Sequence, residues 1–135
     1  MWKRKKSATP QKRIDSLIGA GMIVNGDVTF TGGLRIDGQV RGNVVAANGE
    51  PSTLVISEQA KVTGEIRVSH LVVNGTVNGP LVAIDYLELQ AKARVAGDVT
   101  YKTLEMHVGA VIRGRLNNAE PGTASVVELK RALAE

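Results

Sequence analysis

Between Leu17 and Leu116 aliphatic residues fall at alternate positions in short bursts, and each burst ends at a polar or glycine-bearing break. Alternation with a period of two is the signature of a β-strand with one buried face. The stretch "LVVNGTVNGPLV", residues 71–82, carries two Asn-Gly pairs between such bursts. Alone it reads as a β-hairpin, because both residues of a type I′ turn need positive φ and Asn-Gly supplies it.

The same pattern recurs along the chain. "LRIDGQVRGNV" from Leu34, "LVISEQAKVTGEI" from Leu54, "LVVNGTVNGPL" from Leu71, "LELQAKARVAGDV" from Leu87 and "LEMHVGAVIRGRL" from Leu104 all open on an aliphatic pair two apart. Each crosses a polar corner and closes on aliphatic-x-Gly-x-aliphatic. A weaker copy, "LIGAGMIVNGDV", starts at Leu17, so that successive starts lie 17, 20, 17, 16 and 17 residues apart. This period is too short for stacked helix pairs, and it predicts an all-β fold, a parallel β-solenoid of about six coils. At ~4.8 Å per coil the rod would be roughly 25 to 30 Å long. The expected axial residues include Leu34, Ile36, Val40, Val44, Leu54, Ile56, Val62 and Ile66, then Leu71, Val73, Val77 and Leu81 in the fourth coil. Glycines 26, 42, 64, 79, 97 and 114 would stand at the closing corner, where positive φ or close backbone approach is required. The long interval holds "AANGEPS", residues 46–52, expected as a loop. In this frame the Asn-Gly pairs become corners between parallel strands.

A solenoid has no edge along its sides, but its two ends expose unpaired strand groups and a slice of apolar core. The first coil offers Leu17, Ile18, Ile23, Val24 and Phe30. The last offers Leu104, Met106, Val108, Ile112 and Leu116. End-to-end stacking of the chain on itself is therefore expected, with Leu17, Ile18, Val24, Phe30, Leu104, Met106, Val108, Ile112 and Leu116 as the polymer contacts.

Composition narrows the chemistry. Of 135 residues only 3% are aromatic and none is cysteine, so the core is aliphatic, and disulfides, Cys-ligated zinc and thiol nucleophiles are excluded. No apolar run approaches the ~20 residues that cross a bilayer, and no signal-peptide pattern opens the chain, so a cytoplasmic location is expected.

The net charge of +4 is unevenly placed. Residues 1–15 hold Lys3, Arg4, Lys5, Lys6, Lys12 and Arg13 against Asp15, whereas residues 16–116 carry nine basic and nine acidic side chains. The chain divides into a basic tail (1–15), a repeat domain (16–117) and a C-terminal tail (118–135), in which "SVVELKRALAE" can form a short helix along Val126, Leu129 and Leu133. In "MWKRKK" the Trp2 ring can sit at lipid headgroup level beside Met1, while Lys3, Arg4, Lys5 and Lys6 meet anionic lipid. A short helix with Thr9 as N-cap and Pro10 at its first position could follow, setting Ile14, Leu17 and Ile18 on one face. Nonspecific nucleic-acid binding is the competing use of such a run, and membrane binding by residues 1–6 is the reading favoured by the aromatic.

The repeat series resembles the bactofilins, most closely in "LIGAGMIVNGDV", "GGLRIDGQVRGNV" and "VSHLVVNGTVNGPLVA", and in its layout of basic tail, central domain and brief extension. The resemblance implies a right-handed β-helix that polymerises end to end into nonpolar filaments without bound nucleotide. It further implies attachment to the inner face of the bacterial membrane and a scaffolding role toward cell-shape and cell-wall proteins.

The competing class is a hexapeptide-repeat acyltransferase, a trimeric β-helix that binds coenzyme A and uses a catalytic His. An aliphatic residue every six positions is not maintained here. His70 and His107, the only histidines, are expected as outward strand residues without a fixed carboxylate partner, too little for proton transfer. "TGGLRIDG" lacks the Lys-Ser/Thr of a phosphate loop. Acidic residues are expected to pair with Arg and Lys across coils, with no metal cluster. The expectation is a non-enzymatic scaffold without cofactor.

Overall fold

The structure, a computed structural model, describes residues 14–47 and 51–119. All regular structure in them is β. Six coils of three short strands stack in parallel. The first coil is β1 (Ser16–Ile18), β2 (Ile23–Asn25) and β3 (Val28–Phe30). The second is β4 (Gly32–Ile36), β5 (Gln39–Arg41) and β6 (Val44–Ala46). Then follow β7 (Ser52–Ile56), β8 (Lys61–Thr63), β9 (Ile66–Val73), β10 (Thr76–Asn78) and β11 (Leu81–Leu89). The chain ends with β12 (Arg94–Ala96), β13 (Val99–Tyr101), β14 (Leu104–Met106), β15 (Val111–Arg113) and β16 (Leu116–Asn118). β9 and β11 each run through one corner and serve two coils. β9 pairs with β6 through Ile66 and Arg67 and with β7 through residues 70–73.

The strands form two sheets. The middle strands of the coils make one, in the order β15-β12-β10-β8-β5-β2, and a 10-stranded sheet folded around the other two sides contains the rest. Every pairing is parallel, including those flanking both Asn-Gly pairs. The hairpin is excluded by its own geometry, since among the described residues no non-Gly residue has positive φ and a type I′ turn would require one at Asn.

Leu71, Val73, Val77 and Leu81 are wholly buried, as are Ile36, Val40, Val44, Leu54, Ile56, Val62 and Ile66. Each packs on the equivalent residue of the coil beneath, as in Val40, Val62, Val77 and Val95 along the middle strand. Tyr101 and Phe30 are the aromatics of this core and are also buried.

Two kinds of corner hold the coils in register. At the closing corner a Cβ on Gly42, Gly64, Gly79, Gly97 or Gly114 would lie 2.1 to 2.4 Å from the carbonyl oxygen of the glycine one coil below, so no side chain fits. The residue after the glycine often secures the next coil. The N–H of Asn43 donates to Asp27 Oδ1 at 2.9 Å, that of Glu65 to Asn43 Oδ1 at 2.9 Å, and that of Arg115 to Asp98 Oδ1 at 3.0 Å. Pro80 occupies this position in the fourth coil and has no N–H to satisfy. The other corner is a four-residue turn closed by N–H to C=O bonds such as Ala60 to Ser57, or a two-residue corner at Asp37-Gly38 and Asn74-Gly75. A buried Ser52 accepts from the N–H of Ser69 at 3.0 Å and ties the third coil to the fourth.

The first copy departs from the expected alignment. Ser16, not Leu17, pairs with Leu34, and Leu17 pairs with Arg35. A shift of one residue exchanges inside for outside, so Leu17 points away from the axis and is 58% exposed. The loop at "AANGEPS" falls partly, and the tail and C-terminal helix expectations for residues 1–13 and 120–135 wholly, outside the described residues; a helix running from Thr9 through Ile14, Leu17 and Ile18 is not formed, because Ser16–Ile18 is the strand β1 paired with β4.

Candidate polymer-forming ends

The two ends of the rod are its most distinctive chemical feature. β2 and β15 are the terminal strands of their sheet, so among the described residues neither has a partner on its outer edge. The core thins out at the same places. Six hydrophobic residues pack on the core while staying partly exposed, and five belong to the first or last coil: Val24, Val28, Met106, Ile112 and Leu116. Ile18, Phe30 and Leu104 are almost fully buried in these coils. Their placement follows from pairing, since Val24 lies on Val40, Val28 on Val44, Phe30 on Ala46, Ile112 on Val95 and Leu116 on Val99. Each is an axial residue paired, among the described residues, with a coil on one side only.

Of the residues expected at the ends, Ile18, Val24, Phe30, Leu104, Met106, Ile112 and Leu116 occupy the axial stack. Leu17 and Val108 do not. Leu17 is displaced by the register shift above, and Val108 lies in the corner turn of the last coil, 85% exposed. Ile23 pairs with Gln39 and also faces outward. Val28 was missed: "DVTF" follows the closing Gly26 just as "NVVA" follows Gly42, and that equivalence was the available signal.

The lateral surface carries small polar clusters. Ion pairing is mostly local, with Arg35 on Asp37 at 2.8 Å and Arg67 on Glu65 at 3.4 Å within one coil, and Lys92 on Glu58 at 3.4 Å between coils. Of these three pairs, the last shows the expected pairing across coils. Side chains two apart on a strand point the same way, so a residue at a corner reaches its i+2 neighbour first. Hydrogen bonds from Arg35, the larger cause, and from Ser57 hold the Asp37 carboxyl below its ordinary pKa.

His107 corrects a second expectation. It sits at a corner rather than on a strand, and its Nε2 lies 2.9 Å from Glu88 and 3.4 Å from Glu105. The Tyr86 hydroxyl donates to Glu105, and Gln90 donates to Glu88 at 3.3 Å. Glu88, Glu105 and His107 offer ligand atoms within 4.8 Å of one another, a donor set of the type that takes a divalent cation. Sequence spacing hid the cluster because stacking brings Glu88 beside His107, 19 residues on. His70 is an outward strand residue as expected, above Thr53, with its ring 6.3 Å from that of Tyr86.

Comparison with known proteins agrees with this geometry. Residues 16–117 match the family model described as "Bactofilin: Polymer-forming cytoskeletal". The chain is 26% identical over 120 residues to bactofilin BacP of Myxococcus xanthus, covering 87% of this chain and 48% of BacP. It is 25% identical over 103 residues to bactofilin BacO of the same organism, covering 76% of this chain and 79% of BacO. The chain thus spans about half the length of BacP. Among solved structures it resembles the cryo-EM reconstruction of Thermus thermophilus bactofilin double helical filaments, at 30% identity and a TM-score of 0.69 over 75% of this chain and 96% of that one. Six parallel coils, a family match across all six and a filament-forming structural relative place the chain in the bactofilin family of polymer-forming cytoskeletal proteins.

Proposed function

We propose that the protein is a non-enzymatic scaffold whose subunits join end to end through the axial residues of the first and last coils. The observation that carries this reading is the concentration of partly exposed core residues in those coils, five of six among the described residues: Val24 and Val28 at one end, Met106, Ile112 and Leu116 at the other. Joining two ends continues the parallel or antiparallel ladder and covers apolar surface worth ~25 cal/mol per Å². Like ends meeting like give isologous contacts and a filament without polarity, the arrangement that resemblance to the bactofilins favours. Because the ends are self-complementary surfaces of backbone and aliphatic side chains, assembly requires no nucleotide.

In this reading residues 1–6 attach the filament to anionic lipid on the inner face of the membrane. Trp2 and Met1 enter the interface, and Lys3, Arg4, Lys5 and Lys6 meet the headgroups. One short tail binds weakly, but a filament displays many and gains from effective concentration. The attached filament positions cell-shape or cell-wall proteins.

Two experiments test the proposal. Ile112→Arg buries a charge at the junction and should abolish filaments in negative-stain micrographs while leaving the circular dichroism of the subunit intact; unchanged filaments would refute end contact. A cryo-EM map of parent filaments should show like ends meeting, and a head-to-tail map would overturn the nonpolar arrangement.

A further inference from the structure

The six middle strands of the coils, β2, β5, β8, β10, β12 and β15, contain no Asp or Glu. Their outward side chains include Arg41, Lys61, Arg94 and Arg113. Four of the nine basic side chains of residues 16–116 thus stand on one of the three faces, whose strands hold no carboxylate. Elsewhere Arg35, Arg67 and Lys92 each have a carboxylate partner.

The pairing register keeps these cations apart. Arg41 lies beside Thr63, Lys61 between Gln39 and Thr76, Arg94 between Thr76 and Val111, and Arg113 beside Ala96. No two stand directly opposite, the arrangement that would repel most strongly. Arg94 is anchored by donating to the carbonyls of Ala93 at 2.9 Å and Gly109 at 3.0 Å, which fixes its guanidinium without neutralising it. Together with Thr76, Val111 and Arg113 it lines an open groove on this face. Of the carboxylates on the bordering corners, Glu65 meets Arg67 and Glu58 meets Lys92, while Asp27 and Asp98 accept backbone N–H groups and keep their charge.

We infer that this sheet face is a lateral docking surface for an anionic lipid bilayer. The inference rests on the membrane reading proposed above and adds a second, folded contact to the tail. A flat face of six parallel strands, about 25 Å along the axis, suits a planar charged surface, and end-to-end stacking would repeat its four cations along the filament. Exposed Ile23 and Val111, at opposite ends of the face, add apolar contact at headgroup level. The face carries no aromatic on which bases could stack, so lipid is favoured over single-stranded nucleic acid.

The test uses the full chain carrying Arg41→Glu, Lys61→Glu and Arg113→Glu, pelleted with vesicles of phosphatidylglycerol and phosphatidylcholine. Filament formation and circular dichroism are checked first, and the neutral set Arg41→Gln, Lys61→Gln and Arg113→Gln replaces it if charge reversal disturbs either. The inference expects affinity to fall on the order of tenfold or more, with weaker salt dependence, while pure phosphatidylcholine binds neither form. It also expects residual salt-sensitive pelleting by a chain lacking residues 1–6. Parent-like pelleting by both face variants overturns the inference, as does loss of duplex DNA binding with vesicle binding unchanged. The tail reading fails separately, if removal of residues 1–6 leaves pelleting intact.

Discussion

Gly79→Ala offers the sharpest test of how the coils are held. Gly79 has φ of +148°, and a Cβ there would stand 2.2 Å from the carbonyl oxygen of Gly64. That is about 1 Å inside an ordinary contact, so the coils must separate or the corner must rebuild. Both responses strain the bonds that join these two coils, because the Gly64 N–H donates to Asn78 at 2.9 Å and the Ile66 N–H to Pro80 at 3.0 Å. A 1 Å separation forfeits such bonds, at about 1 kcal/mol each. A side chain at this φ adds roughly 1 to 3 kcal/mol of backbone strain. The total is about 3 to 5 kcal/mol, which lowers the melting temperature by on the order of 10 °C for a domain of this size. Gly21→Ala is the control, since its Cβ would meet nothing within 4 Å and its φ is unremarkable; it should stay within about 0.5 kcal/mol of the parent. Both are followed by thermal and urea unfolding in circular dichroism at one protein concentration, because assembly stabilises the native state. If Gly79→Ala melts within about 2 °C of Gly21→Ala, the close stacking of glycines is not what sets the coil spacing.

Leu71→Ala, at a wholly buried axial site, should cost about 2 to 5 kcal/mol in urea unfolding, and a smaller loss would mean that neighbouring coils collapse into the cavity. Asn43→Ala removes the acceptor for the Glu65 N–H and should cost about 1 kcal/mol, whereas Asn43→Asp keeps an acceptor and should cost less; equal losses would discount the corner ladder. Asp37 has a depressed pKa, so its contribution is present above the ordinary aspartate value of ~3.9 and is lost as pH falls through the lower folded value. Asp37→Asn should therefore narrow the stability gap to parent below that range, and an identical gap from pH 7 down through acid would contradict the Arg35 pairing.

The sequence by itself determined the fold class, the coil period and nearly all of the axial residues. The reason is physical: in a solenoid every coil repeats the same inside-outside decision, so alternation and glycine spacing are written several times over and a local ambiguity such as Asn-Gly is resolved by its neighbours. The tertiary structure decided what repetition cannot encode. Among the described residues the first coil is paired on one side only, and there Ser16 displaced Leu17 by one residue, turning a candidate contact outward. The Glu88–Glu105–His107 cluster and the acid-free face exist only because parallel stacking sets residues some seventeen apart side by side, at a spacing of ~4.8 Å. Sequence shows which residues a coil turns outward; only the stack shows which of them stand together.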